Sequence, residues 1–190
     1  RGKTLGGSSS TNAMAYVRGN SNDYDNWERL GNVGWGYNEI LPFFKKSENH
    51  QQIQSLDSNF HSSSGELNVT APKTFRTPYV DSFIQACENL GIPKNDDYNG
   101  LNQFGAGCVH STIKNGKRHS AATAFLKPIL KRSNLNILTR ALVTRIILNN
   151  KKAEGVEYIK DSKKIQVYAK KEVILSAGSF QSPQLLMLSG

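Results

Sequence analysis

Cysteine is scarce: the chain holds two, Cys87 and Cys108, with no ligand pattern around either. A disulfide framework and a cysteine-built zinc site therefore have no support. Cys87 falls on the apolar side of an expected helix and reads as a buried free thiol. The four histidines, His50, His61, His110 and His119, form no i, i+4 pair with an intervening glutamate, so no metal-ligand set is expected. No apolar run approaches the roughly 18 residues of a membrane-spanning helix. Internal repeats and true low-complexity tracts are missing too, which removes solenoid and array architectures. A start methionine and a signal-peptide pattern are likewise lacking. Arg1 begins directly on a loop and Gly190 stops at a helix, so the chain reads as an internal segment of a longer protein.

Acidic residues are in deficit, 15 against 24 Lys and Arg, for a formal charge of +9. The basic residues are scattered as pairs such as Lys45-Lys46, Lys117-Arg118, Lys151-Lys152, Lys163-Lys164 and Lys170-Lys171, mostly at expected turns. No long run forms, and no aromatics interleave with the pairs as a single-strand platform requires. A solvated basic surface with no specific nucleic-acid partner is the expectation. Asn68-Val69-Thr70 is a glycosylation sequon with no meaning of its own inside a cell.

What the chain does have is concentrated at its two ends. In RGKTLGGSSSTNAMAYVRG, Gly6-Gly7 permits positive φ and close backbone approach to a ligand, and the residues after it are expected to open a helix with outward N–H groups. A pyrophosphate gains up to about 2 kcal/mol at such a terminus. Ser8, Ser9 and Ser10 offer further donors. A flexible linker is the alternative reading of Gly and Ser, but Met14, Tyr16 and Val17 are not linker residues. At the far end, EVILSAGSFQSPQLLMLSG reads as a buried parallel strand, Val173-Ile174-Leu175, followed by a helix with Ser182 as N-cap, Pro183 in its first position and Leu185, Leu186 and Leu188 packing inward.

Between the ends, Asp23 to Trp27 leads through a glycine-rich bend, Gly31 to Gly36, to a helix over 38–47, with Asn38 as cap and Pro42 in the first turn. Residues 49–65 read as a polar surface loop and Glu66 to Val69 as a short strand. Thr77-Pro78 starts a helix over 78–90 with Val80, Phe83, Ile84, Cys87 and Leu90 on one face, ended by Gly91. Asn99-Gly100 and Asn115-Gly116 are turn dipeptides, and Ser120 caps a helix from Ala121. Three strands over 137–148, 155–160 and 164–169 form a meander, the last with one wet face.

The segment Gly2-Lys3-Thr4-Leu5-Gly6-Gly7-Ser8-Ser9-Ser10-Thr11-Asn12 resembles the first signature of the glucose–methanol–choline (GMC) family of flavin-dependent oxidoreductases, and Gly178 to Pro183 through Leu188-Ser189-Gly190 resembles the second. The two occur in the family's order, so the resemblance covers essentially the whole chain. It implies an α/β fold of mixed α+β character. Residues 1–35 and 136–190 would belong to a discontinuous, incomplete Rossmann-like FAD-binding domain, and 36–135 to part of a substrate-binding domain.

The resemblance further implies oxidation of an alcohol by hydride transfer to FAD, with the catalytic histidine beyond Gly190 and no catalytic residue inside the chain. It implies cofactor contacts at Thr4, Gly6, Gly7, Ser8 and Ser9 beside the phosphates, at Asn12, Ala13, Met14 and Ala15 toward the flavin, at Val143 beside the adenine, and at Ala177 and Gly178 where the closing strand passes the nucleotide. Arg118 would brace the active-site region. Some members carry a histidine in the first signature and bind the flavin covalently; Asn12 has no ring nitrogen for that bond, which implies non-covalent FAD. A cyanohydrin lyase that keeps FAD and a non-catalytic interaction module are the rival readings. Residues 1–48 are worded like choline-dehydrogenase-like and aliphatic-alcohol members. Neither the alcohol nor the electron acceptor, whether quinone, dye or oxygen, is written in this stretch, and a cytoplasmic or membrane-peripheral place is the expectation.

Overall fold

Short helices and short strands alternate along the chain, giving a mixed helix and sheet structure whose computed structural model describes residues 1–72 and 77–190. Two units separate by their internal contacts, Arg1–Arg132 and Ser133–Gly190.

The first unit opens on a turn, Gly7 N donating to Thr4 O at 2.9 Å, and a 3₁₀ turn over Gly7–Ser10. The α-helix expected here does not form. Instead, after Met14 takes positive φ, Ala15 bridges Ser111 in antiparallel fashion and Tyr16 N donates to the His110 carbonyl at 2.9 Å. Helix α1 (Ser21–Arg29), unforeseen in the sequence, starts where the Asn20 side chain accepts from Asn22 N at 2.9 Å. A bend with positive φ at Gly31 and Gly34 leads to α2 (Tyr37–Ser47). The N-cap of α2 is Gly36, not Asn38, because Asp25 Oδ1 takes the Tyr37 N–H from outside; Pro42 lies in the helix interior, beyond the first turn. Tyr24 pins the two helices by ring contacts with Tyr37 and Phe44.

Residues 49–65 are largely exposed or half-buried, as their polarity suggests, but they are anchored by a short strand and two buried histidines. β1 (Glu48–His50) pairs in parallel with β2 (Leu67–Val69), and His50 and His61 are among the most buried side chains of the chain. Gly65 folds onto the Ser47 backbone, where a Cβ has no room. Helix α3 (Pro78–Asn89) forms with Pro78 in its first turn and Gly91 beyond its end at positive φ. Of its apolar face only Ile84 is buried: Phe83 and Leu90 are exposed, and Cys87 is a half-buried free thiol. β3 (Ile113–Lys114) and β4 (Lys117–Arg118) make a hairpin across Asn115-Gly116, both at positive φ as this tight turn demands. After it, Ser120 Oγ accepts from Thr123 N at 3.3 Å and a π-helical turn, Ala122–Leu126, follows. The interior of this unit is largely polar, with Arg18, Glu48, His50, His61, Asn68, Asn99, His110 and His119 buried beside Val69, Ile84, Ala122 and Ala124.

The second unit is the expected meander: β5 (Leu142–Asn149), β6 (Lys152–Lys160) and β7 (Lys163–Tyr168), antiparallel in sequence order. Its first strand begins at Leu142, later than expected, after Arg140 takes positive φ. β7 has no dry face, since every residue of it is exposed. Helix α4 (Gln181–Met187) packs by Leu185 and through Ser189 Oγ, which accepts from Ile146 N at 2.8 Å. Two local expectations fail. Val173 to Leu175 carry no strand partner among the described residues, and Ile174 is exposed. Ser182 is not the N-cap: Phe180 is, and Ser182 Oγ reaches back to accept from Ala177 N at 3.0 Å, placing Pro183 two residues deeper in the first turn.

Candidate functional site

The glycine pair takes the left-handed backbone its sequence permits. Gly6 has φ 85° and Gly7 φ 55°, a backbone that side chains rarely adopt. A Cβ on Gly6 would lie 2.6 Å from Ser10 Oγ and 3.0 Å from Ala122, whereas nothing stands within 4 Å of one on Gly7. Gly6 is thus closed against its own fold and Gly7 faces open space.

The serines divide the remaining work. Ser9 Oγ donates to Gly6 O at 2.5 Å and accepts from Ala121 N at 2.9 Å, and Ser10 Oγ donates to Leu5 O at 2.8 Å. Both protons are spent inside the loop. Ser8 Oγ accepts from Gly2 N at 3.2 Å, so its proton is the one left for a ligand. Arg118 reaches over from β4, Nη1 donating to Ser9 O at 3.1 Å and to Asn12 Oδ1 at 2.8 Å. The same Asn12 oxygen accepts from Met14 N at 3.0 Å and supports Met14 at φ 63°. Asn12 Nδ2 is then the donor that remains. Thr4, Asn12, Ala13 and Ala15 are exposed and Met14 half-exposed, so Thr4 through Ala15 form one open surface braced by Arg118.

The other expected residues lie in the second unit. Val143 sits on β5 opposite Tyr158, beside a register shift, and is partly exposed. Ala177 and Gly178 form the turn before α4, Gly178 at φ 94° with no backbone crowding its Cβ position.

Behind the loop lies a cluster that no motif announced. Arg18 Nη2 donates to Glu48 Oε2 at 3.0 Å and Nη1 to Phe60 O at 2.6 Å. His61 Nδ1 lies 3.1 Å from Glu48 Oε1 and its Nε2 3.0 Å from Asp97 Oδ2. Beside it, Gln52 N donates to His50 Nδ1 at 3.1 Å, His50 Nε2 lies 3.1 Å from His110 Nδ1, and His110 Nε2 lies 3.0 Å from the Asp96 carbonyl. These partners leave one pattern: His50 and His110 are neutral, each protonated at Nε2, while His61 faces a carboxylate at both nitrogens and is protonated at both. Burial opposes charge on His61, but Asp97 and Glu48 overcome it and raise its pKa to about 9. Burial, helped by His110, pushes His50 down to about 4 and also lowers His110. Burial works against the charged forms of Glu48 and Asp97, yet His61, with Arg18 for Glu48, holds both below the usual carboxylate range. The six residues come from positions 18, 48, 50, 61, 97 and 110, so no local spacing could have gathered them.

Against this geometry stand the similarities to known proteins. The family profile described as GMC oxidoreductase matches residues 1–190. The chain belongs to the GMC oxidoreductase family. Among GMC relatives it is 45% identical over 190 residues to mitochondrial choline dehydrogenase of Homo sapiens, covering all of this chain and 31% of that protein. It is 45% identical over 192 residues to alcohol dehydrogenase [acceptor] of Pseudomonas putida, covering 34% of it. Among solved structures, an FAD-dependent oxidoreductase from Chaetomium thermophilum superposes with a TM-score of 0.87 at 33% identity, over 97% of this chain and 34% of that one. Pyridoxine 4-oxidase from Mesorbium loti superposes with a TM-score of 0.86 at 34% identity, over 96% of this chain and 36% of that one. The chain thus spans about a third of the length of the GMC proteins it matches.

Proposed function

We propose that this chain supplies part of the FAD cradle of an enzyme that oxidises an alcohol, its residues 1–35 and 136–190 contributing to the cofactor domain and 36–135 to the substrate side. The observation that carries the reading is the Gly6-Gly7 turn, held at positive φ from within and open at Gly7 to a ligand. The residues fit the group. Gly6 and Gly7 let the backbone approach the phosphates, Ser8 offers a hydroxyl proton, Ser9 holds the turn closed and Thr4 lines its edge. Asn12, fixed by Arg118, offers its amide toward the flavin beside Ala13, Met14 and Ala15. Val143 and the Ala177-Gly178 turn serve the nucleotide end. FAD, when bound, supplies the acceptor for hydride from the alcohol carbon.

None of the four histidines serves as the base. His50, His110 and His119 each spend the Nδ1 lone pair on an internal donor and are buried, and His61 has no lone pair to give. The proton acceptor for the alcohol is placed outside these residues. The choline and alcohol dehydrogenase relatives favour a small alcohol as substrate.

FAD is held without a covalent bond, since the loop from Gly6 to Ala15 offers no histidine, cysteine or tyrosine to the ring. Acid precipitation of the full-length holoprotein therefore releases its FAD into the supernatant. Flavin that stays with the denatured pellet contradicts this.

A further inference from the structure

Two arms run from His61 to the same stretch of backbone. On one side His61 meets Glu48, whose Oε2 also accepts from Ser62 N at 2.9 Å and binds the Arg18 guanidinium. On the other it meets Asp97, whose Oδ1 accepts from Asn99 N at 3.2 Å. Asn99 then grips the chain twice, Nδ2 donating to Tyr16 O at 2.9 Å and Oδ1 accepting from Arg18 N at 2.8 Å. Tyr16 to Arg18 is thus held by the Arg18 side chain through Glu48 and by its backbone through Asn99 and Asp97, and one ring stands between the two carboxylates. That stretch continues directly from Asn12 to Ala15, and Thr112 N donates to Met14 O at 2.9 Å along the same run.

We propose that His61, as a doubly protonated imidazolium between Glu48 and Asp97, is the positioning residue that fixes the Tyr16–Arg18 backbone behind the cofactor loop and so sets the affinity for FAD. The inference rests on the functional reading above for its cofactor half. The ring does not touch the loop; it acts through Glu48 and Asp97. Losing its proton leaves one carboxylate facing a lone pair, so one arm must let go. The other titratable and charged groups around it are His50 of β1, Asp96 of the 95–99 segment, Arg18 and Tyr16 of the segment before α1, and Tyr98 and His110 beyond Asp97. The His50–His110 chain cannot take up the proton, because each ring nitrogen already has a partner of the opposite kind. Arg18 Nε is buried without a partner, so apart from Glu48 the guanidinium is held only by the Phe60 carbonyl, which accepts from Nη1 at 2.6 Å.

The test uses the full-length protein and FAD. The FAD dissociation constant of the unmodified protein should rise on the order of tenfold between about pH 7 and about pH 10. His61→Gln should bind FAD on the order of tenfold more weakly at neutral pH, with the alkaline rise gone. A His61→Gln protein that keeps the alkaline rise overturns the proposal, because a merely structural ring would leave the pH profile in place. Nitrogen NMR of ¹⁵N-histidine-labelled unmodified protein reads the same claim if the variant fails to fold. Both His61 nitrogens should be protonated at neutral pH while His50 and His110 are neutral, and a neutral His61 overturns the proposal. An unmodified protein that binds no FAD at any pH overturns the functional reading and the cofactor half of this one. The protonation state of His61 is then still read independently.

Discussion

Gly6 and Gly7 look equivalent in the sequence but meet different constraints. A side chain on Gly6 collides with Ser10 and Ala122, whereas one on Gly7 meets only an unfavourable φ, costing about 1–2 kcal/mol. Gly7→Val should therefore lower the stability of the apoprotein by no more than about 2 kcal/mol while cutting FAD occupancy severely. Comparing the melting of apoprotein with its flavin content separates the two effects. Unchanged FAD affinity in Gly7→Val would remove that residue from the cradle. The motif was readable because its glycines and serines adjoin in sequence. The roles inside it were not: that Ser9 and Ser10 spend their protons within the loop while Ser8 does not depends on where Ala121 and Leu5 lie in space. His61 was invisible for the same reason, its partners lying 13 and 36 positions away.

At the scale of elements, α2, α3, the β3–β4 hairpin and the three-stranded meander were legible because each carries a local signal, whether periodicity, Thr77-Pro78, Asn115-Gly116 or alternating apolar residues. What failed needed information from elsewhere in the chain. Asn38 lost the cap to Gly36 because Asp25 reached the Tyr37 N–H, and within polar residues 49–65 His50 and His61 went inside because His110 and the Glu48 and Asp97 carboxylates awaited them. The two tight turns of the meander pose a test of their own. Asn150 and Lys151 both hold positive φ, as do Asp161 and Ser162, and none of the four is glycine. Lys151→Gly relieves a left-handed lysine, about 1–2 kcal/mol, against about 0.5–1 kcal/mol for the greater unfolded-state freedom of glycine. It should stabilise the protein by about 1 kcal/mol, read as a higher denaturant midpoint with an unchanged slope. A lower midpoint would show that the Lys151 side chain contributes more than its backbone costs.

For the molecule as a whole, the buried cluster sets a pH window. His61 is raised to about 9 from 6.5, so its contribution to stability is complete below 6.5, shrinks above it and is gone once pH passes about 9. His50 is lowered to about 4 from 6.5 and stays neutral in the fold, so its cost appears below 6.5 and grows down to about 4. Glu48 and Asp97, held below the ordinary carboxylate range, stabilise the fold above that range and lose this in acid. Stability should peak near pH 6.5 and fall on both sides, each proton contributing a slope of at most about 1.4 kcal/mol per pH unit. Denaturant midpoints of the full-length protein across the pH range check this, and a peak displaced to strongly alkaline pH would mean that His61 is not charged in the fold.

The most direct test of the account is an anaerobic titration of the full-length holoprotein with small alcohols, choline among them, followed through the flavin's visible absorption band. The account predicts bleaching by at least one alcohol, with the colour restored by an electron acceptor. A flavin that stays oxidised against every alcohol, or a protein that purifies without flavin and takes up none, would contradict it.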